Sequence, residues 1–283
     1  MFENKVNINN MNKLQIHSTD RLAIVSYSGG MDSTCLIMHL VSLGYKIQAF
    51  SFDYGQAHSV ELEMAKSNVK WMQEMGIPIL HQIINLRDVF SGDSSTLVRH
   101  EKSPEGDYRE ESMKSTVVNN RNIIFSSIIY AKALSAAKFR LEKIKCNADT
   151  DSQERVFENV LRERAKVLIA LGVHAGDHAI YPDCTEESTS MARELFRISN
   201  WDGDLVEYAT PFVNYTKGEV LNVGITSMKI MGMTQDEINL ILGHTISCYN
   251  ATSDGKACGK CGTCTERLEA FAANGLEDPA EYV

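Results

Sequence analysis

Two clusters of side chains in this chain have types and spacings suited to chemistry. Near the N-terminus stand Ser28-Gly29-Gly30-Met31-Asp32-Ser33-Thr34, and near the C-terminus Cys248, Cys258, Cys261 and Cys264 in a C-x9-C-x2-C-x2-C pattern. In the first cluster Gly29 and Gly30 let the backbone approach an anion closely, and the hydroxyls of Ser28, Ser33 and Thr34 can donate to phosphate oxygens. Asp32 adds a carboxylate that can help hold a divalent cation such as Mg²⁺. The pattern is neither a Walker loop, which needs a lysine followed by Ser or Thr, nor the G-x-G-x-x-G dinucleotide fingerprint. A serine–glycine turn without function is the bland alternative.

In the second cluster, each C-x2-C pair lets one turn of backbone present two thiolates, and the intervening glycines permit the knuckle. Four thiolates make a closed structural site and favour one Zn²⁺ per chain. An iron–sulfur cluster accepts the same four ligands, and unpaired core cysteines are the further alternative. A bound metal would staple a tail that lacks a core of its own.

Smaller candidates lie between these clusters. Asp53 and Gln56 follow an apolar run, Lys46 to Phe52, in a second polar loop, with His58 just beyond. Arg121 and Asn122 stand where a loop passes into a helix, where an arginine can clamp phosphate or carboxylate with two N–H bonds, or simply make a surface ion pair. Tyr181-Pro182-Asp183-Cys184 reads as a proline-locked turn presenting a carboxylate to the N–H groups of a purine-like base, or else as a turn with Asp183 as a helix cap. Lys217 opens a helix and can reach an anion, or serves only as a helix-start residue. His58, His174 and His178 are more commonly packing or surface histidines than ligands.

The elements that must position these residues alternate. Strands are expected at 22–27, 46–52, 79–84, 167–173 and 205–209, and helices at 32–43, 59–75, from about 116 through Ala137, and over 186–198. Alternation of this kind predicts an α/β fold, a parallel sheet with helices on both faces, whose ligands bind at the carboxyl ends of the strands. Two capping boxes, Thr216 with Glu219 and Thr234 with Glu237, open helices 217–231 and 235–242. The polar stretch 90–115 reads as a long loop and 139–165 as a solvated helical pair. The expected layout is a flexible arm over 1–20, a nucleotide domain over 21–210 and a helical, zinc-binding region over 211–283.

Hydrophobic content of 43% and charged content of 23% describe an ordinary globular chain of 283 residues. A net charge of −9 argues against a broad grip on a nucleic-acid backbone. The asparagine-rich N-terminus is not expected to be a signal peptide, and no apolar run approaches the ~20 residues a membrane helix needs. Seven cysteines, four of them crowded at one end, fit metal ligation in a reducing cytoplasm better than a disulfide framework.

Taken together these residues resemble a known family. S-G-G-x-D-S-T is the pyrophosphate loop of the ATP pyrophosphatases, which split ATP between its α and β phosphates. With F-D-Y-G-Q at 52–56, R-N-I-I-F at 121–125, Y-P-D-C at 181–184, T-K-G-E at 216–219 and S-C-Y…C-G-K-C-G-T-C at 247–264, the chain resembles the 7-cyano-7-deazaguanine synthases from residue 21 onward. The resemblance implies a Rossmann-like domain and a frequently homodimeric enzyme that uses ATP, Mg²⁺ and structural Zn²⁺. It further implies that the enzyme adenylates 7-carboxy-7-deazaguanine and transfers the acyl group to ammonia, giving an amide and then a nitrile. Ser28, Gly29, Gly30, Asp32, Ser33, Thr34, Asp53, Gln56, His58, Arg121 and Asn122 are thereby implied around ATP, Arg121, Tyr181, Pro182, Asp183 and Lys217 around the substrate, and Ser28, Asp32, Ser33 and Lys217 in catalysis.

The chain departs from that family's usual pattern at Ala57 and Thr185, where arginine is usual, and at Asn119-Asn120, where Pro-Gly is usual. The charged stretch 139–165 reads as an insertion. These departures keep open a related ligase of antiviral-defence type that attaches a deazaguanine to a protein amine or stops at the amide. A non-catalytic scaffold is the reading from another class, and the intact loop residues oppose it. Thiolases of the same fold usually need extra RNA-binding modules or cysteines near the loop.

Overall fold

The computed structural model describes residues 20–56, 60–105, 111–146 and 154–283. The expected arm, apart from Asp20, and His58 lie outside the described residues. Five parallel strands form one sheet in the order β3-β2-β1-β4-β5, with β1 at Leu22–Ser26, β2 at Lys46–Asp53, β3 at Ile79–Asn85, β4 at Val167–Ala170 and β5 at Val206–Ala209. Leu22 sits opposite both Lys46 and Val167. The central strands are apolar along their whole length because helices cover both faces.

The helices are α1 (Met31–Ser42), α2 (Val60–Glu74), α3 (Arg87–Phe90), α4 (Thr96–Arg99), α5 (Arg121–Cys146), α6 (Glu154–Ala165), α7 (Glu186–Ile198), α8 (Lys217–Ile230), α9 (Gln235–Gly243) and α10 (Gly262–Ala273). Side chains alternate along a strand. Ala23 and Val25 therefore join Leu36, Met72, Val220, Ile238 and Phe271 beneath α1, α2, α8, α9 and α10. Ile24 faces Ile129, Tyr130 and Ala133 of α5 on the other side, together with Leu161 of α6. Helices α1 and α8 pack so closely that a Cβ on Gly224 would lie 2.4 Å from the Cys35 sulfur. Cys35 is thus a buried packing thiol.

The chain winds from β1 outward to β3, then returns over the opposite face through α5 to reach β4 on the other side of β1. The crevice between the carboxyl ends of β1 and β4 is the switch point at which open α/β sheets bind ligands. No helix of the described residues is long and apolar enough to cross a membrane.

Two expectations are corrected here. The stretch 90–115 is more than a loop: its described residues include α4, capped by the Ser95 hydroxyl accepting from Leu97 N, and a 3₁₀ turn at Glu111–Thr116. Buried Phe90, Leu97 and Met113 hold it down, too widely spaced to show a helical period. Helix α5 does not end at Ala137 but runs on to Cys146, because Leu141 and Ile144 continue its packing face.

Candidate active site

The glycine loop between β1 and α1 is built by backbone constraints. Gly29 has φ +83°, and a Cβ there would lie 2.9 Å from the Ala65 Cβ, so only glycine fits between β1 and α2. Its carbonyl accepts from Ile246 N at 3.1 Å. The Ser28 hydroxyl accepts from Gly30 N at 3.2 Å and lies 3.1 Å from the Ser33 hydroxyl. The first regular bond of α1 runs from Thr34 N to Gly30 O, so the N–H groups of Asp32 and Ser33 precede the ladder. Met31 N donates to the Ser247 hydroxyl at 3.4 Å. The helix thus opens its positive end onto the cleft.

In the first turn of α1, Asp32 meets a cluster drawn from three other segments. The buried Lys217 ammonium lies 3.3 Å from Asp32 Oδ2 and 2.9 Å from Glu266 Oε2. His174, also buried, has Nε2 3.8 Å from both Asp32 Oδ2 and Asp177 Oδ2. Its Nδ1 accepts from Gly176 N at 3.1 Å, which places the ring proton on Nε2, facing the two carboxylates. Burial pushes the Asp32 carboxyl up, but the Lys217 ammonium and His174 outweigh it and hold the group below the ordinary carboxylate range. Burial likewise opposes the Lys217 charge, and Asp32 and Glu266 override it, keeping the amine protonated far above neutral pH. Asp32 Oδ1 is buried with no hydrogen-bond partner, an acceptor suited to a divalent cation.

The opposite half of the cleft is aromatic. Phe52 and Phe125 stack with centroids 4.0 Å apart, and the Arg121 guanidinium lies 5.7 Å from the ring centres of both Tyr54 and Tyr181. Arg121 Nη1 donates to the Tyr54 hydroxyl at 3.2 Å. The Tyr181 hydroxyl lies 2.9 Å from those of both Thr116 and Tyr249. Glu61, in the first turn of α2, lines the same cleft, and burial pushes its carboxyl up to about 7 against the pull of Arg121.

Of the residues singled out from sequence, the cleft gathers Ser28, Gly30, Asp32, Ser33, Gln56, Arg121, Asn122, Tyr181 and Lys217 along its walls. Thr34 turns inward, fully buried, with its hydroxyl 3.5 Å from that of Tyr27. Asp53 points away from the cleft and pairs with Arg87 at 2.9 Å. Gln56 braces its own turn, accepting from Tyr54 N and donating to Phe52 O. Pro182 starts a 3₁₀ turn that presents Asp183, whose two oxygens accept from the backbone N and side-chain amide of Asn122 at 3.2 and 3.1 Å. Asp183 therefore caps α5, while Thr185 caps α7 through Ser188 N. His178 does not line the cleft.

Sequence reasoning missed Glu61, Asp177, Ser247 and Glu266 as site residues. Glu266 lies on α10, far along the chain from Asp32, His174 and Lys217, and no local pattern marks it. Ser247 carried a signal in its place beside Cys248.

The four cysteine sulfurs lie within 4.8 Å of one another. Cys258 to Cys264 is 4.0 Å, Cys248 to Cys261 3.9 Å and Cys261 to Cys264 3.5 Å. A tetrahedral ion with metal–sulfur bonds of about 2.3 Å demands sulfur–sulfur edges of about 3.8 Å. The donor set therefore fits. Backbone N–H groups of Asn250 and Cys258 point at Cys248 Sγ, and those of Lys260 and Cys261 at Cys258 Sγ, an arrangement that favours thiolates.

The family model described as "Queuosine biosynthesis protein QueC" matches residues 22–151 and 159–275. The 7-cyano-7-deazaguanine synthase of Marinomonas sp. (strain MWYL1) is 36% identical over 263 residues, covering 92% of this chain and 97% of the relative. Its namesake from Pseudoalteromonas translucida (strain TAC 125) is 37% identical over 264 residues, with coverage of 92% and 97%. One from Methanoregula boonei is 37% identical over 261 residues, with coverage of 92% and 98%. With nearly its whole described core matched in this way, the chain belongs to the QueC family of queuosine biosynthesis proteins.

Proposed function

We propose that this chain, an ATP-dependent carbon–nitrogen ligase of the 7-cyano-7-deazaguanine synthase type, adenylates the carboxylate of 7-carboxy-7-deazaguanine and passes the acyl group to ammonia. The observation that carries this reading is the phosphate loop, which opens α1 onto a cleft whose other half is aromatic and holds Arg121. A carboxylate is a poor electrophile, and its oxygen attacking the α-phosphorus of ATP expels pyrophosphate and leaves AMP as a good leaving group. Charge growing on the departing pyrophosphate meets the N–H groups of Asp32 and Ser33, the hydroxyls of Ser28 and Ser33, and the Lys217 ammonium. Ammonia then displaces AMP and gives the amide. In a second round the amide oxygen takes the adenylyl group, and loss of AMP and the nitrogen's protons leaves the nitrile. No protein nucleophile is needed, and Cys184, whose thiol burial pushes up, is unsuited to be one.

Asp32 Oδ1 would hold Mg²⁺ accompanying ATP, which supplies charge neutralisation at the phosphates. Cys248, Cys258, Cys261 and Cys264 would hold one structural Zn²⁺. Two departures from the family pattern are accommodated locally. Asn120 takes φ +57°, a conformation asparagine tolerates where glycine is usual, and Thr185 supplies the α7 cap.

Mass spectrometry of purified protein given ATP, Mg²⁺, 7-carboxy-7-deazaguanine and ammonium tests the reading. Free 7-cyano-7-deazaguanine with two AMP per product is the expected result. AMP with only the amide, or with a deazaguanine mass on protein, would identify the defence-type ligase instead, and absence of AMP would refute both.

A further inference from the structure

Most carboxylates around the cleft are already engaged. Asp32 and Glu266 hold Lys217, and Asp183 is spent on Asn122. Asp177 accepts from His174 N. Glu61 differs: it lines the cleft, half-buried, with no hydrogen bond or ion pair to a described residue. It stands on the first turn of α2 in the cleft that also holds Tyr54 and Arg121, and Arg121 is the charge that acts on it, whereas Lys217 and His174 act on Asp32.

The cleft has two ends: Lys217 meets Asp32 at 3.3 Å at one, and Arg121 lies 5.7 Å from the Tyr54 and Tyr181 ring centres at the other. The reacting carbon must lie by the α-phosphate, at the end held by Ser28, Asp32 and Lys217. A carboxylate on the Arg121 side accordingly meets a ring rather than the reacting carbon. A free carboxylate offers two adjacent acceptors. The pyrimidinone edge of a 7-deazaguanine offers two adjacent donors, the ring N1–H and the exocyclic amine. Adenine offers a donor beside an acceptor, which would set a lone pair against one carboxylate oxygen. The fit is to the deazaguanine.

We propose that Glu61 is the specificity residue that reads the N1–H and exocyclic amine of the deazaguanine. This rests on the functional reading above. Burying an unpaired carboxylate is costly, and two charge-assisted hydrogen bonds from the ring relieve that cost only when the correct base is present. A base lacking the amine leaves one oxygen unpaired and is rejected.

Steady-state kinetics with 7-carboxy-7-deazaguanine and with its analogue lacking the exocyclic amine test this. The wild type should prefer the amine-bearing acid by tenfold or more in kcat/KM. Glu61→Gln should raise KM for 7-carboxy-7-deazaguanine about 10- to 100-fold, the scale of one bidentate base contact, and erase that preference. It should leave kcat within about threefold and KM for ATP unchanged, which also shows that the variant folds. Glu61→Asp should restore part of the preference. A fall in kcat with KM unchanged, a rise in KM for ATP, or a preference retained in Glu61→Gln would each overturn the assignment while leaving the ligase reading intact. A wild type that forms no AMP with either acid would overturn both.

Discussion

Glu266 holds the Lys217 ammonium at 2.9 Å, and this ion pair ties the cysteine knuckle to the loop of Ser28–Thr34. Glu266 lies on α10, two residues beyond Cys264 and five beyond Cys261, and Lys217 reaches on to Asp32. Glu266→Gln removes one of the two anions that keep a buried ammonium in place. We expect AMP formation to fall tenfold or more, KM for ATP to rise, and stability to drop by about 1–3 kcal/mol, as read by initial rates and denaturant unfolding.

Asp32→Ala and Ser28→Ala alter the proposed phosphate site without touching the knuckle. Each should cut AMP formation by at least ~100-fold, the scale of losing one preorganised partner of developing charge. Metal content per chain, measured by elemental analysis, should not change. Loss of metal in either variant would mean that the loop is structural.

Removing the proposed metal should reach the same site from the other side. Cys261 is the N-cap of α10, and the carbonyl of Gly29 and N–H of Met31 bond to Ile246 and Ser247, next to Cys248. A chelator, or Cys261→Ser, should lower Tm by roughly 10 °C, equivalent to about 3 kcal/mol, and abolish AMP formation in parallel. Restored Zn²⁺ should recover both in the chelated wild type.

Glu61 sets a pH dependence of stability opposite to the usual carboxylate. Its folded value of about 7 stands above the unfolded 4.5, so the native state binds more protons between those values. Stability is therefore lost as pH rises through this window, by up to roughly 3 kcal/mol in total. Among the described residues, the groups facing Glu61 there are Arg121 from α5 and Tyr54 just past β2. Glu61→Gln should be the more stable protein at pH 8, with the gap closing by pH 4, in unfolding curves across pH.

Backbone geometry separates two positions that look alike in sequence. Gly29→Ala forces a Cβ at φ +83° against Ala65, and should cost about 2 kcal/mol or more while abolishing AMP formation. Asn120→Gly, at φ +57°, should shift stability by less than about 1 kcal/mol and leave activity intact. Thermal unfolding and AMP assays distinguish the two.

By itself the sequence determined whatever depends on near neighbours. The strand–glycine–helix of residues 22–42, both capping boxes and the two C-x2-C pairs are local geometry, written in spacings of a few residues, and they stand in the structure as read. The parallel sheet followed from the alternation of strand and helix. Short and irregular pieces such as α4 were illegible because three buried residues make no period. Tertiary structure alone decided the site's pairings. It brought Glu266 to Lys217, turned Asp53 outward to Arg87, spent Asp183 on the start of α5 and left Glu61 in the cleft with no partner among the described residues. A carboxylate's task depends on which donors and charges fold against it, and those come from elements distant in the chain. Spacing along the sequence carries no record of that distance in space.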